Sequence, residues 1–244
     1  MSELAGKTAV VIGGSKGLGR GIVDRLANEG MRVVAIARHE ATYSSENVMP
    51  LMADMTDEGV VQEVVERERP YALIINGGAR PTTSGQLDLD WETFSINWNT
   101  DVKGTFLWAK AALCLPLDPG SHLIIVSSGA AVGGSPVSGG YSPAKAGQWI
   151  LAQNLAAESQ YHGLGIHVQC LLPMITPETE IGQAGIAAYA ARNNITPEAF
   201  MERVGAKPPL SPAIMGEGIH QLLTDASLAG QITFRISGQG LAAM

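Results

Sequence analysis

Thr8-Ala9-Val10-Val11-Ile12-Gly13-Gly14-Ser15-Lys16-Gly17-Leu18-Gly19 is an apolar run of strand type that breaks into a glycine-rich turn. The amphipathic stretch from Ile22 to Leu26 follows it. Strand, turn and helix in that order are what a dinucleotide site requires. Glycine lets the backbone come close to a pyrophosphate, and the helix N-terminus faces its negative charge. The spacing is G-x-x-x-G-x-G, which differs from the G-x-G-x-x-G of the commoner fingerprint.

Outward from that turn, apolar β-rich runs alternate with helical segments, the pattern of a parallel sheet with crossover helices. Strands are expected near Thr8–Ile12, Arg32–Ala37, Val48–Met52, Ala72–Asn76, His122–Ser127, Gly165–Leu172 and Gln231–Ile236. Helices are expected near Gly17–Asn28, Asp57–Arg67, Trp91–Leu115, Tyr141–Tyr161 and Pro212–Thr224. About ten residues separate the second and third strands, so a short helix or a turn is expected there. No Pro/Gly/Ser linker divides the chain. The fold class is therefore α/β, a single-domain, doubly wound (Rossmann-type) parallel sheet with flanking helices over residues 1–244. Its ligand crevice belongs at the carboxyl ends of the strands.

Composition narrows the function. With 45% hydrophobic and 16% charged residues, the chain has material for a sizeable core. No apolar run reaches the ~18 residues of a membrane span, and the start from Met1 to Lys7 lacks a signal-peptide pattern. Two cysteines, Cys114 and Cys170, do not make a disulfide scaffold. A cytoplasmic protein is expected. A net charge of -7 argues against nucleic acid as partner. The mixed-sign run from Glu63 to Arg69 reads as a solvated helix face. The five histidines are scattered without metal-ligand spacing, so no metal is expected.

Tyr141 and Lys145 stand four residues apart, and Ser128 lies thirteen residues before the tyrosine. Positions i and i+4 share a helix face. A phenol titrates near ~10, and a cation beside it favours the phenolate. A hydroxyl such as that of Ser128 can hold a substrate oxygen while the tyrosine moves a proton.

Together these residues resemble the short-chain dehydrogenase/reductase family over nearly the whole chain. Gly13 to Gly19 match its glycine turn, with Ile12 in place of a threonine. Asn76-Gly77-Gly78 resembles its N-N-A-G motif, and Ala229-Gly230-Gln231 its segment before the last strand. Pro173 matches a P-G pair whose glycine is Met174 here. The resemblance implies an NADP(H)-dependent oxidoreductase that moves a hydride between nicotinamide and a carbonyl or secondary alcohol. In it Tyr141 is proton donor and acceptor, Lys145 tunes the phenol and holds the nicotinamide ribose, and Ser128 stabilises the substrate oxygen. Ser127 is a possible understudy one residue too far from Tyr141. Gly13, Ser15, Lys16, Gly17, Leu18, Gly19, Asn76, Gly77, Gly78, Tyr141, Lys145, Pro173 and Ile175 are implied to contact the coenzyme, with Asp54 and Met55 at the adenine. Thr176 or Thr179 binds the carboxamide, and the sequence leaves both open.

Arg38 stands where an NAD-preferring site carries a carboxylate, and Lys16 is a second cation near it. Arginine forks onto a 2′-phosphate that a carboxylate would repel, so NADP(H) is expected. The resemblance also puts Asp101 where the family carries a relay asparagine. Asp101 is expected to carry that relay, although a negative charge there opposes phenolate formation; the alternatives are an irregular helix or weakened catalysis. Asn97 and Asn99 are expected to face elsewhere on a regular helix. The segment near 178–210, with Ile181, Ile186, Tyr189, Phe200, Met201 and Val204, is implied to cover the substrate. Residues Gly133 to Gly140 read as a pliable loop beside Tyr141. A neutral ketone, aldehyde or alcohol fits, since no basic cluster awaits a carboxylate. The resemblance further implies a homo-oligomer, tetramer or dimer, to which Trp98, Phe106, Leu107, Trp108 and Trp149 are candidates to contribute. The competing reading is a non-catalytic NADP-binding sensor of the same fold, for which Asp101 and Met174 leave room.

Overall fold

The computed structural model describes residues 2–205 and 208–244; part of the segment near 178–210, namely residues 206 and 207, lies outside the described residues. Eight strands form one sheet: β1 Thr8–Ile12, β2 Arg32–Ala37, β3 Val48–Met52, β4 Ala72–Ile75, β5 His122–Val126, β6 His167–Pro173, β7 Thr233–Ser237 and β8 Gly240–Ala243. Their order is β3-β2-β1-β4-β5-β6-β7-β8, all parallel except the β7–β8 pair. The topological switch lies between β1 and β4, where a doubly wound sheet opens its crevice.

The central strands are apolar throughout because both faces are covered. Ala9, Val11, Ile74, Ile124 and Val126 face one core, and Val10, Ile12, Leu73, Ile75, Leu123 and Ile125 face the other. Helices α1 Gly17–Asn28 and α9 Pro212–Thr224 (numbered in chain order) cover the first face. In α1, Ile22, Val23 and Leu26 are fully buried, each worth about 1.5–3 kcal/mol. Helices α2 Glu58–Glu68, α4 Lys103–Cys114 and α6 Tyr141–Tyr161 cover the second, with Trp108 of α4 wholly buried. Trp108 is thus core, whereas Phe106 and Ile150 remain about half exposed.

Several expectations need correction. The stretch expected as one regular helix over Trp91–Leu115 is α3 Trp91–Asn97, a π-helical turn Trp98–Val102, and α4. The expectation of a short helix or a turn between β2 and β3, by contrast, stands, since those residues form bends and turns. The run from Glu63 to Arg69 is not wholly solvated, because Glu68 is buried and paired with Arg32 and Arg67. Strand β8 was not anticipated, since Gly240-Leu241-Ala242-Ala243 carries no alternation.

At the amino end of the sheet, His122 is buried beside Tyr71, edge-on at 5.4 Å, and His167 at 5.0 Å. Lys7 lies 3.8 Å over the Tyr71 ring. Burial, then the neighbouring His167, push the His122 imidazole down to about 4.

Candidate active site

The glycine turn follows β1 and is held against its neighbours. Gly13 takes φ 78°, and a side chain there would lie 2.7 Å from the Cα of Gly77. Gly19, in the first turn of α1, packs so closely that a Cβ would lie 2.0 Å from the Gly13 carbonyl oxygen. Asn76 donates from Nδ2 to that same carbonyl at 3.2 Å. Asn76 and Gly77 thus brace the turn from the end of β4. The first residues of α1 have no side-chain cap, unlike α2, which Asp57 caps. Their amide groups are left to meet an anion.

Tyr141 opens α6, and its amide is held by the Ser138 carbonyl at 3.0 Å. One turn later Lys145 places Nζ 5.4 Å from the Tyr141 ring centre. The end of β5 docks on that turn through Ser127, whose hydroxyl donates to the Lys145 carbonyl at 2.7 Å. This commits Ser127 to the backbone and leaves Ser128 as the serine beside the crevice. Ser128 Oγ accepts from the Ala130 amide at 3.2 Å, opening the short helix α5 Ala130–Gly133.

Lys145 is buried, and the Asp101 carboxylate lies 3.2 Å from its Nζ with the aspartate wholly buried too. Burial alone would drive the ammonium down, but Asp101 and the nearby Tyr141 outweigh it, and the lysine is held above its ordinary range. Asp101 is itself fixed. Its Oδ1 accepts from the Ala79 amide at 2.8 Å, and Asn97 Nδ2 lies 3.4 Å from both carboxylate oxygens. Asn97 also donates to the Ala79 carbonyl at 3.1 Å. The expectation that Asn97 faces elsewhere is therefore corrected: four residues before Asp101, it lies on the same face. Asn99 does turn away, to Ser95. Gln148, one turn beyond Lys145, donates to the Asp101 carbonyl at 3.2 Å and to Thr105 Oγ1 at 2.6 Å, pinning the π turn to α6.

Around the crevice, Arg38 is exposed at the end of β2. Hydrogen bonds from Thr56, aided by the charges of Arg38 and Lys103, hold the Asp54 carboxyl below its usual range. Met55 is buried, contacts Gly77 and Gly104, and accepts at its carbonyl from Trp108 Nε1 at 3.0 Å. Leu18 packs on the core under the turn, while Ser15 and Gly17 are half-buried. Gly78 faces the Asp101 carboxylate. At the end of β6, Pro173 is buried and its carbonyl accepts from the Gly129 amide at 2.9 Å. Met174 places its sulfur against Gly129, next to Ser128. Ile175 is half-buried, and Thr176 is buried with its hydroxyl on the Met174 carbonyl. Thr179 caps helix α7 Glu180–Arg192 through the Gly182 amide. Lys16 pairs with Glu180, the first residue of α7, at 2.6 Å.

Helix α8 Pro197–Val204 packs on α7. Tyr189 stacks on Phe200 at 5.3 Å and donates to Ser135 Oγ at 2.7 Å. The loop expected to be pliable is thus tied: Ser135 and Val137 are buried, and Gly139 is held by Ser84 and Gln86. A cleft of about 460 Å³ lies between Thr83, Ser84, Val137, Ala184, Ala187 and Ala188, with no charged side chain in its described lining. Gln148 and Glu180 join the site without having been singled out in the sequence, and Asn97 joins it although it is expected there to face elsewhere. The i, i+4 step from Asn97 to Asp101 was the one signal available for any of them.

The chain matches the family model described as short chain dehydrogenase over residues 7–189. It is 30% identical over 200 residues to a short chain dehydrogenase of Pseudocercospora fijiensis, covering 74% of this chain and 62% of that protein. It is 29% identical over 233 residues to an NADPH-dependent aldehyde reductase-like protein, chloroplastic, of Arabidopsis thaliana, covering 84% of this chain and 82% of that one. The crystal structure of a 3-ketoacyl-(acyl-carrier-protein) reductase from Brucella melitensis complexed with NADH has a TM-score of 0.79 at 19% identity, over 96% of this chain and 98% of that one.

Proposed function

The chain belongs to the short-chain dehydrogenase/reductase family, and from that premise we propose that it is an NADP(H)-dependent oxidoreductase acting on a neutral carbonyl or secondary alcohol. The observation that carries this reading is the buried Lys145 one turn from Tyr141, at the strand ends that also hold the glycine turn. The residues suit a nicotinamide dinucleotide. Uncapped amides of α1 suit its pyrophosphate, and Arg38 and Lys16 suit a 2′-phosphate. Asp54 and Met55 are assigned to the adenine end, and Pro173, Ile175 and Thr176 to the nicotinamide end. When bound, the coenzyme supplies or accepts the hydride.

In this reading Ser128 holds the substrate oxygen, and Tyr141 gives it a proton in reduction and takes one in oxidation. Lys145 supplies positive charge beside the phenol, while Asp101 fixes that ammonium and offers a carboxylate through which a proton can leave. The cleft beside Val137 and the alanines of α7 supports an uncharged substrate covered by the segment near 178–210. A groove of about 760 Å³ between α4 and α6, with Trp98, Val102, Phe106 and Ile150 in its lining, supports a second copy of the chain as partner. Among the described residues no helix is long and apolar enough to cross a membrane, and the reduced-thiol composition supports a cytoplasmic setting.

The test is NADPH oxidation against a panel of ketones and aldehydes, with Tyr141→Phe alongside. Turnover should fall by about 10²–10⁴ in the variant while coenzyme binding persists. A variant that retains turnover removes Tyr141 as the donor. Tight NADPH binding without turnover in the wild type favours the sensor reading.

A further inference from the structure

Two consecutive residues at the start of α7 lean on two consecutive residues of the glycine turn. Glu180 Oε2 lies 2.6 Å from Lys16 Nζ, and the Thr179 methyl lies 3.2 Å from where a side chain on Gly17 would begin. Thr179 is fixed as the cap of α7, so the lean is built into the helix start. Arg80, beyond β4, adds its field: Lys16 first, then Arg80, hold the Glu180 carboxyl below its ordinary range. One carboxylate from the β6 side thus pairs with a cation from the β1 side and feels a second from the β4 side, at the strand ends where the proposed coenzyme places its phosphate.

We propose that Glu180 tunes coenzyme preference by competing with the 2′-phosphate for Lys16. This rests on the NADP(H) reading above. The Lys16 ammonium cannot serve both anions fully, and a carboxylate left beside a phosphate repels it. NADPH must therefore displace Glu180, whereas NADH, which lacks that phosphate, leaves the bridge in place. Glu180 is a specificity residue that weakens NADPH selectively.

The experiment is calorimetric titration of the full chain with NADPH and with NADH, using the wild type, Glu180→Gln, Lys16→Met and the double variant. The pair is exposed, so the expected gain is modest. Glu180→Gln should tighten NADPH about three- to fivefold with NADH unchanged, and the gain should vanish when Lys16→Met is already present. Equal gains for both coenzymes, weaker NADPH binding, or a gain that survives Lys16→Met would each overturn the competition. A wild type that binds NADH as tightly as NADPH overturns the coenzyme reading itself. A wild type that prefers NADPH, with a ratio unmoved by Glu180→Gln, overturns the competition alone.

Discussion

At the carboxyl end of the sheet, Lys145 and Asp101 are both buried, 3.2 Å apart, with the lysine held above its ordinary range and the Ala79 amide and Asn97 completing the carboxyl group's shell. At the amino end, His122 is equally buried between Tyr71 and His167, with Gln169 3.5 Å from Nδ1 and the Lys7 charge nearby. Among the described residues no carboxylate pairs with it, and it sheds its proton down to about 4. The same degree of burial keeps one ionisable group charged and discharges another, and the partner decides which. Both ends set a lysine beside a phenol, Lys7 over Tyr71 and Lys145 near Tyr141, but only the compensated end does so with a buried lysine held by a carboxylate.

The comparison breaks most severely if one partner of the buried pair is removed. Asp101→Leu leaves the ammonium buried without a counter-charge, and should cost about 3–5 kcal/mol of stability, read by urea unfolding at neutral pH. Asp101→Asn keeps an oxygen for the Ala79 amide and should cost less. A leucine variant within 1 kcal/mol of wild type would show that Lys145 finds another partner.

At the amino end the signature is pH dependence. His122 is neutral when folded and titrates near 6.5 when unfolded, so protons favour the unfolded chain. Stability should be complete above pH about 6.5 and fall by about 3 kcal/mol as pH drops to about 4. In His122→Gln this part of the acid slope should disappear; an unchanged slope would move the acid sensitivity to the carboxylates. The smallest effect belongs to a solvated pair. Removing Glu63, 2.6 Å from Arg67 and largely exposed, should change stability by no more than about 0.5 kcal/mol. A loss above 1 kcal/mol would mean that exposure is not what separates these pairs.

Much of the frame was legible because its signals are local. Strands β1 to β3 and helices α1, α6 and α9 fall where the apolar runs and the glycine turn put them. The order of Ser128, Tyr141 and Lys145 was legible for the same reason, since one strand end and one helix turn carry all three. What escaped depends on distant parts of the chain. Lys16 meets Glu180 across 164 residues, and nothing near either announces it. The π turn arises where Asp101 is pulled to Ala79 and Lys145 while Gln148 takes its carbonyl. Helix α7 escaped as a separate element because Ala184, Ala187, Ala188 and Ala191 give no sharp apolar stripe.

The π turn also bears on how relatives of this chain can diverge. Asn97 and Asp101 look inward from it, while Trp98, Val102 and Phe106 line the outer groove. Such a turn accommodates a residue that regular helical winding would not. Gain or loss of one residue between Trp98 and Val102 would rotate the two duties against each other without severing the helix. The side chain that inherits the place beside Lys145 is therefore identified by that contact in three dimensions, and counting along the chain can miss it by one.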